Sequence, residues 1–292
     1  MFPSSPSFPH SFRLFGFIVL AGAVLGSCGP SKQSAGPTDP YDLAQAAFKS
    51  GKLDKALDLT DSLATATPPT DSTERVRVLR VVIYAGQLKA AKEMAGAYSK
   101  GAEKTTSSQT RSGYWSLEHD ILLNGANALM NLAGTARQIA PDGVIAKEVT
   151  LEASYPTTEG PTEIKVLSTV EDGGWIETDE QGSALADALR KGVDDALADV
   201  VGGDRAKARQ ALANGSTKLE GAAFAIFLAR QLAEGAVVCH HVLDPEKIKA
   251  LCDEGDETLK AALALLKDAP NKDQAKEVKK LQDKFKDIRK DT

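Results

Sequence analysis

The sequence lacks an excess of positive charge. Lysine and arginine total 35 and aspartate and glutamate total 40, so the formal net charge is −5, and the two signs are interspersed along the chain. A domain that binds nucleic acid through its phosphates usually carries a basic patch or stripe. The charge pattern therefore gives no indication of nucleic-acid binding.

Motifs for common catalytic chemistry are also missing. The chain has no GxSxG, HExxH, P-loop or dinucleotide-binding glycine pattern. His119 lies between Glu118 and Asp120, but no nucleophile or third orienting group accompanies it, so a solvated helix face is favoured over an acid–base role. We predict that the protein is not an enzyme and needs no cofactor.

A convincing membrane span is missing too. The apolar stretch Leu14 to Leu25 follows the single basic residue Arg13 and is about twelve residues long, whereas a membrane span needs roughly twenty. That length is typical of a secretory signal peptide. A second apolar stretch, residues 222–238, contains Arg230, Gln231 and Glu234, which indicates a buried helix.

The N-terminal apolar stretch ends in Leu25-Gly26-Ser27-Cys28, which resembles the lipobox of bacterial lipoproteins. The resemblance implies cleavage before Cys28, lipid on its thiol, and attachment to a membrane of the cell envelope. Residues 1–27 are then a signal peptide, and residues 28–39, rich in Gly, Pro and Ser, a flexible tether. Gly29 replaces the aspartate that often retains lipoproteins in the inner membrane, which favours the outer membrane, facing the periplasm. The alternative is an ordinary signal peptide with an incidental cysteine.

Abundant alanine and leucine with few aromatic residues predict a mainly α-helical fold. In residues 40–141, apolar helical faces lie on both sides of Gly51, and again on both sides of Gly86, 35 residues later. Small residues at a helix crossing, a glycine turn and the closing Pro68 resemble a tetratricopeptide repeat, whose period is about 34 residues. Plain helical hairpins are the alternative. A long helix is predicted from Tyr114 to Ile139.

The remaining chain divides into two predicted regions. In residues 142–180, two runs of alternating apolar residues around 149–155 and 164–170 flank a Pro- and Gly-rich turn and predict a β-hairpin insertion. Residues 181–292 predict a second helical bundle, with helix starts at Asp204 and Asp244 and separate helices ending near Cys252 and beginning near Glu257. The last helix is amphipathic and either caps the array or binds a partner.

Cys239 and Cys252 are the only cysteines that follow the lipobox. In an exported protein such a pair predicts a disulfide. Free buried thiols are one alternative. A metal site with His240 and His241 is the other, but adjacent helical residues point about 100° apart and do not easily bind one ion.

These patterns favour a binding protein. A helical-repeat surface held at the membrane by lipid would serve as a protein-binding adaptor or assembly factor for an envelope protein. The candidate partner-binding residues lie on the first hairpins: Lys49, Lys52, Arg75, Arg77 and Tyr84. The alternative is a transporter-associated lipoprotein that binds a small solute or lipid in a cavity lined by the alanine-rich helix of residues 222–238.

Overall fold

The computed structural model describes residues 39–66, 70–164 and 179–292. The predicted signal peptide, the lipobox and nearly all of the tether lie outside the described residues. The described chain is mainly α-helical, as predicted. Its elements in order are α1 (Pro40–Lys49), α2 (Leu53–Ala64), α3 (Asp71–Lys104), α4 (Ser108–Ile139), β1 (Glu148–Glu152), α5 (Asp179–Val200), α6 (Arg205–Ala211), β2 (Ser216–Glu220), α7 (Gly221–Val238), α8 (Pro245–Asp268) and α9 (Lys272–Lys290).

The first helix pair forms where the sequence predicts it. The Asp39 side chain accepts a hydrogen bond of 2.9 Å from the Tyr41 backbone N–H, and Pro40 occupies the first turn of α1, where it leaves no intrahelical donor unpaired. Gly51 has a φ of 75°, a left-handed conformation that lets the chain reverse between α1 and α2. Phe48 and Ala56 are fully buried at the crossing.

The second predicted helix pair is wrong, because the chain does not turn at Gly86. Helix α3 runs unbroken through this residue. A Cβ on Gly86 would lie 2.7 Å from Cγ2 of Val193 in α5, and a Cβ on Gly192 would meet the Gly86 carbonyl oxygen. The glycine at this position allows α3 and α5 to approach closely, and it does not serve as a turn residue.

A second predicted helix boundary is also wrong, and the reason is again a glycine at a close contact between helices. Residues 245–268 form one helix, α8, instead of two helices separated near residue 255. A Cβ on Gly255 would clash with the Phe285 ring, which is fully buried. Helix α9 packs against α7 and α8 through its apolar stripe. Of the two roles predicted for this last helix, capping the array or binding a partner, the stripe therefore serves the first. Its buried residues are Val278, Leu281, Phe285 and Ile288.

The predicted β-hairpin is confirmed only in its first strand. Strand β1 has the alternating burial expected, with Val149 and Leu151 facing the core. The second predicted strand lies almost entirely outside the described residues. The described partner of β1 is β2, which pairs with it antiparallel in the register Glu148↔Glu220 to Glu152↔Ser216. The sequence between α6 and α7 gave no prediction of that strand.

Helix α7 is the most deeply buried helix of the second half. It is also the one described helix that is long and apolar enough to span a membrane, and 72% of its residues are buried in the structure. Gly235 lies so close to α4 and α3 that a Cβ there would be 2.8 Å from Cδ2 of Leu88. The buried helix predicted from residues 222–238 is confirmed.

The helices of residues 40–141 and 181–292 share one hydrophobic core. Helix α3 contacts α2, α4, α5, α7 and β1, and α7 contacts α4, α8 and α9. The largest buried cluster accordingly extends from Ala47 in α1 to Ile288 in α9. The described chain from residue 39 onward is therefore one compact unit.

The close approach of α3 and α5 predicts that replacing two different glycines of α3 by alanine has opposite effects on the stability of the protein. We expect Gly86→Ala to destabilise the protein by about 1–3 kcal/mol, because the added methyl group has to displace Val193 and part α3 from α5. Gly96 is exposed and has nothing within 4 Å of a Cβ, so Gly96→Ala should stabilise α3 by roughly 0.5–1 kcal/mol. Urea unfolding followed by circular dichroism measures both. Equal effects of the two substitutions would contradict this packing.

Candidate functional site

The five candidate partner-binding residues do not form one surface. Lys49 and Lys52 are exposed at the turn between α1 and α2. The Lys49 backbone carbonyl accepts hydrogen bonds from the Thr157 backbone N–H and hydroxyl, at 3.1 and 2.8 Å, so this turn also anchors residues 153–164. The two lysine side chains themselves remain exposed there.

The other three candidates are engaged within the protein. Arg75 is half-exposed and forms an ion pair of 3.2 Å with Glu152. The Arg77 guanidinium donates to the carbonyl oxygens of Ala64 and Gln138, at the ends of α2 and α4, at 3.1 Å each. Tyr84 is buried, and its hydroxyl accepts a 2.6 Å hydrogen bond from Arg80. The prediction that Tyr84 faces the surface is wrong, because this position on α3 faces the core.

The predicted disulfide between Cys239 and Cys252 is not formed, and both residues are free and buried. The Cys239 thiol lies 3.9 Å from the Leu122 carbonyl oxygen of α4, whereas Cys252 lies on α8 near Arg289 of α9. The two thiols are thus packed against different helices. Burial raises the pKa of each to about 11, so neither is a reactive thiolate at neutral pH.

Titratable residues do not assemble into a metal site in the described ranges. No group of three or more His, Cys, Asp or Glu residues there has the arrangement needed to hold a metal ion. His240 and His241 lie at the end of α7 with their rings edge to face, 5.5 Å apart. This arrangement packs the two rings against each other.

A buried carboxylate holds residues 153–164 against α5. Asp194 has a fully buried side chain and accepts a 2.6 Å hydrogen bond from the Gly160 backbone N–H. Arg205 lies 3.9 Å from the same carboxylate and donates to the carbonyl oxygens of Gly160 and Pro161. Burial raises the pKa of Asp194, against the opposing effect of these partners. Every contact named here links parts of the same chain, so we interpret the cluster as structural.

The solvent face of α4 differs from the other exposed helix faces in having almost no charge. Between Arg111 and Arg137 the helix contains only two acidic residues, Glu118 and Asp120, and no lysine or arginine. In α9, by comparison, most residues outside the apolar stripe are charged. We call the part of this surface between Arg111 and Arg137 the neutral face of α4 and define it by its exposed residues: Ser112, Trp115, Ser116, His119, Asp120, Leu123, Asn124, Asn127, Asn131 and Gly134.

Two large apolar side chains lie exposed on the neutral face. Trp115 is 57% exposed and is the only exposed tryptophan, tyrosine or phenylalanine in the described ranges, while Leu123 is 39% exposed. Residues 115, 119 and 123 are four apart and so lie along one side of the helix. Protein interfaces are enriched in tryptophan and depleted of lysine and glutamate relative to other surface. The neutral face has this composition. The pattern of apolar residues along the sequence did not predict this surface.

The buried Asp194 generates a prediction about stability and pH. We expect Asp194→Ala to cost about 1–3 kcal/mol, because the Gly160 N–H then loses its acceptor, and Asp194→Asn to cost less, because the amide oxygen still accepts. With its pKa raised in the folded state, Asp194 stabilises the fold below its ordinary pKa of about 4, and this contribution is lost as the pH rises through the raised value.

Urea unfolding at several pH values from about 4 to about 8 tests both parts of this prediction. The loss of stability with rising pH should be smaller in Asp194→Asn than in the wild type. An unchanged pH profile in that variant would show that Asp194 does not titrate as described.

Comparison with known proteins gave no relative from which to transfer a function. No protein-family model, no curated protein and no solved structure matches this chain. The function of this protein therefore has to be inferred from its own residues. The neutral face of α4 is the surface on which we base that inference.

Proposed function

We propose that this chain is a lipid-anchored lipoprotein of the bacterial envelope that binds a protein through the neutral face of α4. The anchor is inferred from Leu25-Gly26-Ser27-Cys28 and the short apolar stretch before it. The binding role is inferred from the surface composition of α4. In this proposal, the protein is an adaptor or assembly factor of the envelope, attached to the periplasmic side of the outer membrane.

The observation that carries the binding role is the exposure of Trp115 within a charge-poor surface. Every other described tryptophan, tyrosine or phenylalanine is buried or half-buried. Burying apolar surface is worth roughly 25 cal/mol per Å², and an exposed tryptophan leaves this energy available to a partner. Serine and asparagine around it supply hydrogen bonds without the cost of removing charges from water. Such a surface is suited to a specific protein contact.

The length of the predicted tether sets how far the folded part can lie from the lipid. Twelve residues, 28–39, extend at most about 3.3–3.6 Å each, so they span up to roughly 40 Å between the lipid and the start of α1. The lipid therefore confines the protein to a layer near the membrane without setting its orientation.

The cavity alternative gains no support from α7, the helix expected to line it. Its small residues let neighbouring helices approach closely, as at Gly235, where a Cβ would be 2.8 Å from Leu88. Ala225, Ala229, Ala233 and Ala236 are fully buried. The alanines fill a dense core, so we do not propose a ligand cavity along this helix.

Lipid attachment is tested by replacing the proposed acylated cysteine. Cys28→Ser should abolish incorporation of labelled palmitate and leave the signal peptide uncut, because the thiol that receives the lipid is gone. Ser31→Ala, three residues later, is the control and should label like the wild type. Metabolic labelling followed by immunoprecipitation gives the answer. Labelling that persists in Cys28→Ser, or is absent from the wild type, would rule out the lipobox assignment.

Protein binding at the neutral face is tested by photo-crosslinking in cells. A crosslinking residue at Ser116, next to Trp115, should capture a protein, and Trp115→Asp in the same chain should reduce that capture by about tenfold or more. The matched control is the same crosslinker at Val144, which is 68% exposed but lies outside the neutral face. A third position, Lys52, tests the surface of the first hairpin. Capture that is equal at Ser116 and Val144 would contradict the proposal.

A further inference from the structure

Helix α9 is positively charged in a chain that is negatively charged as a whole. From Lys272 to Lys290 it contains eight lysine or arginine residues and four aspartate or glutamate residues, which gives it a net charge of +4. Because the whole chain carries −5, the rest of the sequence carries −9. Helix α9 is therefore a local region of opposite charge.

The positive charge of α9 lies on the side that faces solvent. Val278, Leu281 and Ile288 are buried, and positions two residues away from them point to the opposite side of the helix, about 200° around its axis. The outward positions follow one another at spacings of four and three residues along the whole helix. We call them the lysine stripe of α9, and all are exposed: Lys272, Lys276, Lys279, Asp283, Lys286 and Lys290.

The carboxylates of α9 do not neutralise the lysine stripe. Lys276, Lys286 and Lys290 each form an ion pair with the aspartate three residues earlier, at 2.9–3.9 Å. Ion pairs between exposed side chains are weak, so these three lysines remain available to another anion. Among the described residues, Lys272 and Lys279 have no carboxylate partner.

We infer that the lysine stripe of α9 lies against anionic phospholipid headgroups of the membrane that holds the protein. This rests on the proposed lipid anchor at Cys28 and adds the orientation of the folded part, which the anchor alone does not set. Clustered lysines are attracted to the negative potential of anionic lipids. The attraction falls off within about 10 Å of the surface at ordinary salt, so it acts on the helix face that touches the membrane.

The composition of the lysine stripe favours a membrane over a protein as its partner. Protein interfaces are enriched in aromatic residues, methionine and arginine, and depleted of lysine. The stripe has none of the favoured types, because Phe285 packs on Gly255 of α8 and Arg289 pairs with Asp253 and Asp256 of the same helix. A lipid surface requires charge without a complementary shape, and the flexible ammonium groups of lysine supply that charge.

The tether allows this orientation, and the distribution of charge selects it. A compact chain of this length has a radius of gyration of roughly 18 Å, and the tether spans up to roughly 40 Å, so the folded part can rotate relative to the membrane. With −9 on the rest of the sequence, an anionic membrane repels most of the chain and attracts α9.

Acetylation of lysines in the anchored protein tests this orientation. The full-length protein is reconstituted into vesicles of phosphatidylcholine alone, or with about one-third phosphatidylglycerol, and treated briefly with a water-soluble acetylating reagent. Mass spectrometry measures the modification of each lysine, with the exposed Lys49 and Lys52 as references in the same molecules. Modification of Lys279 and Lys286 relative to these references should fall by about threefold or more in the anionic vesicles. About 1 M salt should abolish the difference, because it screens the attraction.

Two double variants show whether the stripe itself causes the protection. K276E combined with K279E removes the net positive charge of the stripe, so Lys286 should be modified equally in the two kinds of vesicle. The matched control, K49E combined with K52E, makes the same change in total charge at the turn between α1 and α2. In the control, Lys286 should remain protected in the anionic vesicles when compared with the neutral ones. Circular dichroism checks that both variants fold.

The outcomes separate this orientation from the proposed function. Equal modification of the wild-type stripe in the two kinds of vesicle would overturn the membrane contact, and so would protection confined to Lys49 and Lys52. If a crosslinker at Lys279 then captures an acidic protein in cells, the stripe binds a protein instead. Palmitate labelling and crosslinking at Ser116 test the anchor and the neutral face separately, so both stand if only the membrane contact fails. Absence of palmitate labelling removes the anchor and the membrane contact together.

Discussion

The close contact between α3 and α5 is the constraint on which much of the fold depends. Gly86 and Gly192 bring the two backbones together so closely that either added methyl group would strike the opposite helix. Because α3 also contacts α2, α4, α7 and β1, this crossing joins the helices that precede β1 to those that follow it. Interiors pack at nearly crystalline density, so a displaced α5 would carry residues 153–164 and Asp194 with it.

Three glycines within helices share the same role in this protein. Gly86, Gly235 and Gly255 each lie where a neighbouring side chain or backbone occupies the space that a Cβ would need. A glycine inside a helix lowers its intrinsic stability by up to about 1 kcal/mol relative to alanine, and close packing of the neighbouring helix offsets that cost. Gly51, with its left-handed φ, is the contrasting case in which glycine permits a turn.

The dense interior and the neutral face of α4 bear on function in complementary ways. Small residues at the crossings leave α7 closely surrounded, which argues against a ligand cavity along it. Along α4, the core side is covered by α3 and α7, while the opposite side keeps Trp115 exposed among uncharged polar residues. In the proposed function a partner protein covers this side of α4, and a lipid tether would raise the local concentration of partners in the same membrane.

The sequence by itself determined the helical class, the starts of α1, α6 and α8 at Asp-capped positions, the end of α4, the first strand and the buried state of α7. These features depend on local chemistry: caps, periodicity and turn residues within a few positions of one another. Tertiary structure decided whether a glycine ends a helix at a turn or allows a neighbouring helix to approach closely. It also decided which strand pairs with β1 and whether the two cysteines form a bond. Finally, it decided that Tyr84 is buried while Trp115 is exposed. Each of these depends on contacts between residues far apart in the chain, and the pattern around a single residue does not contain them.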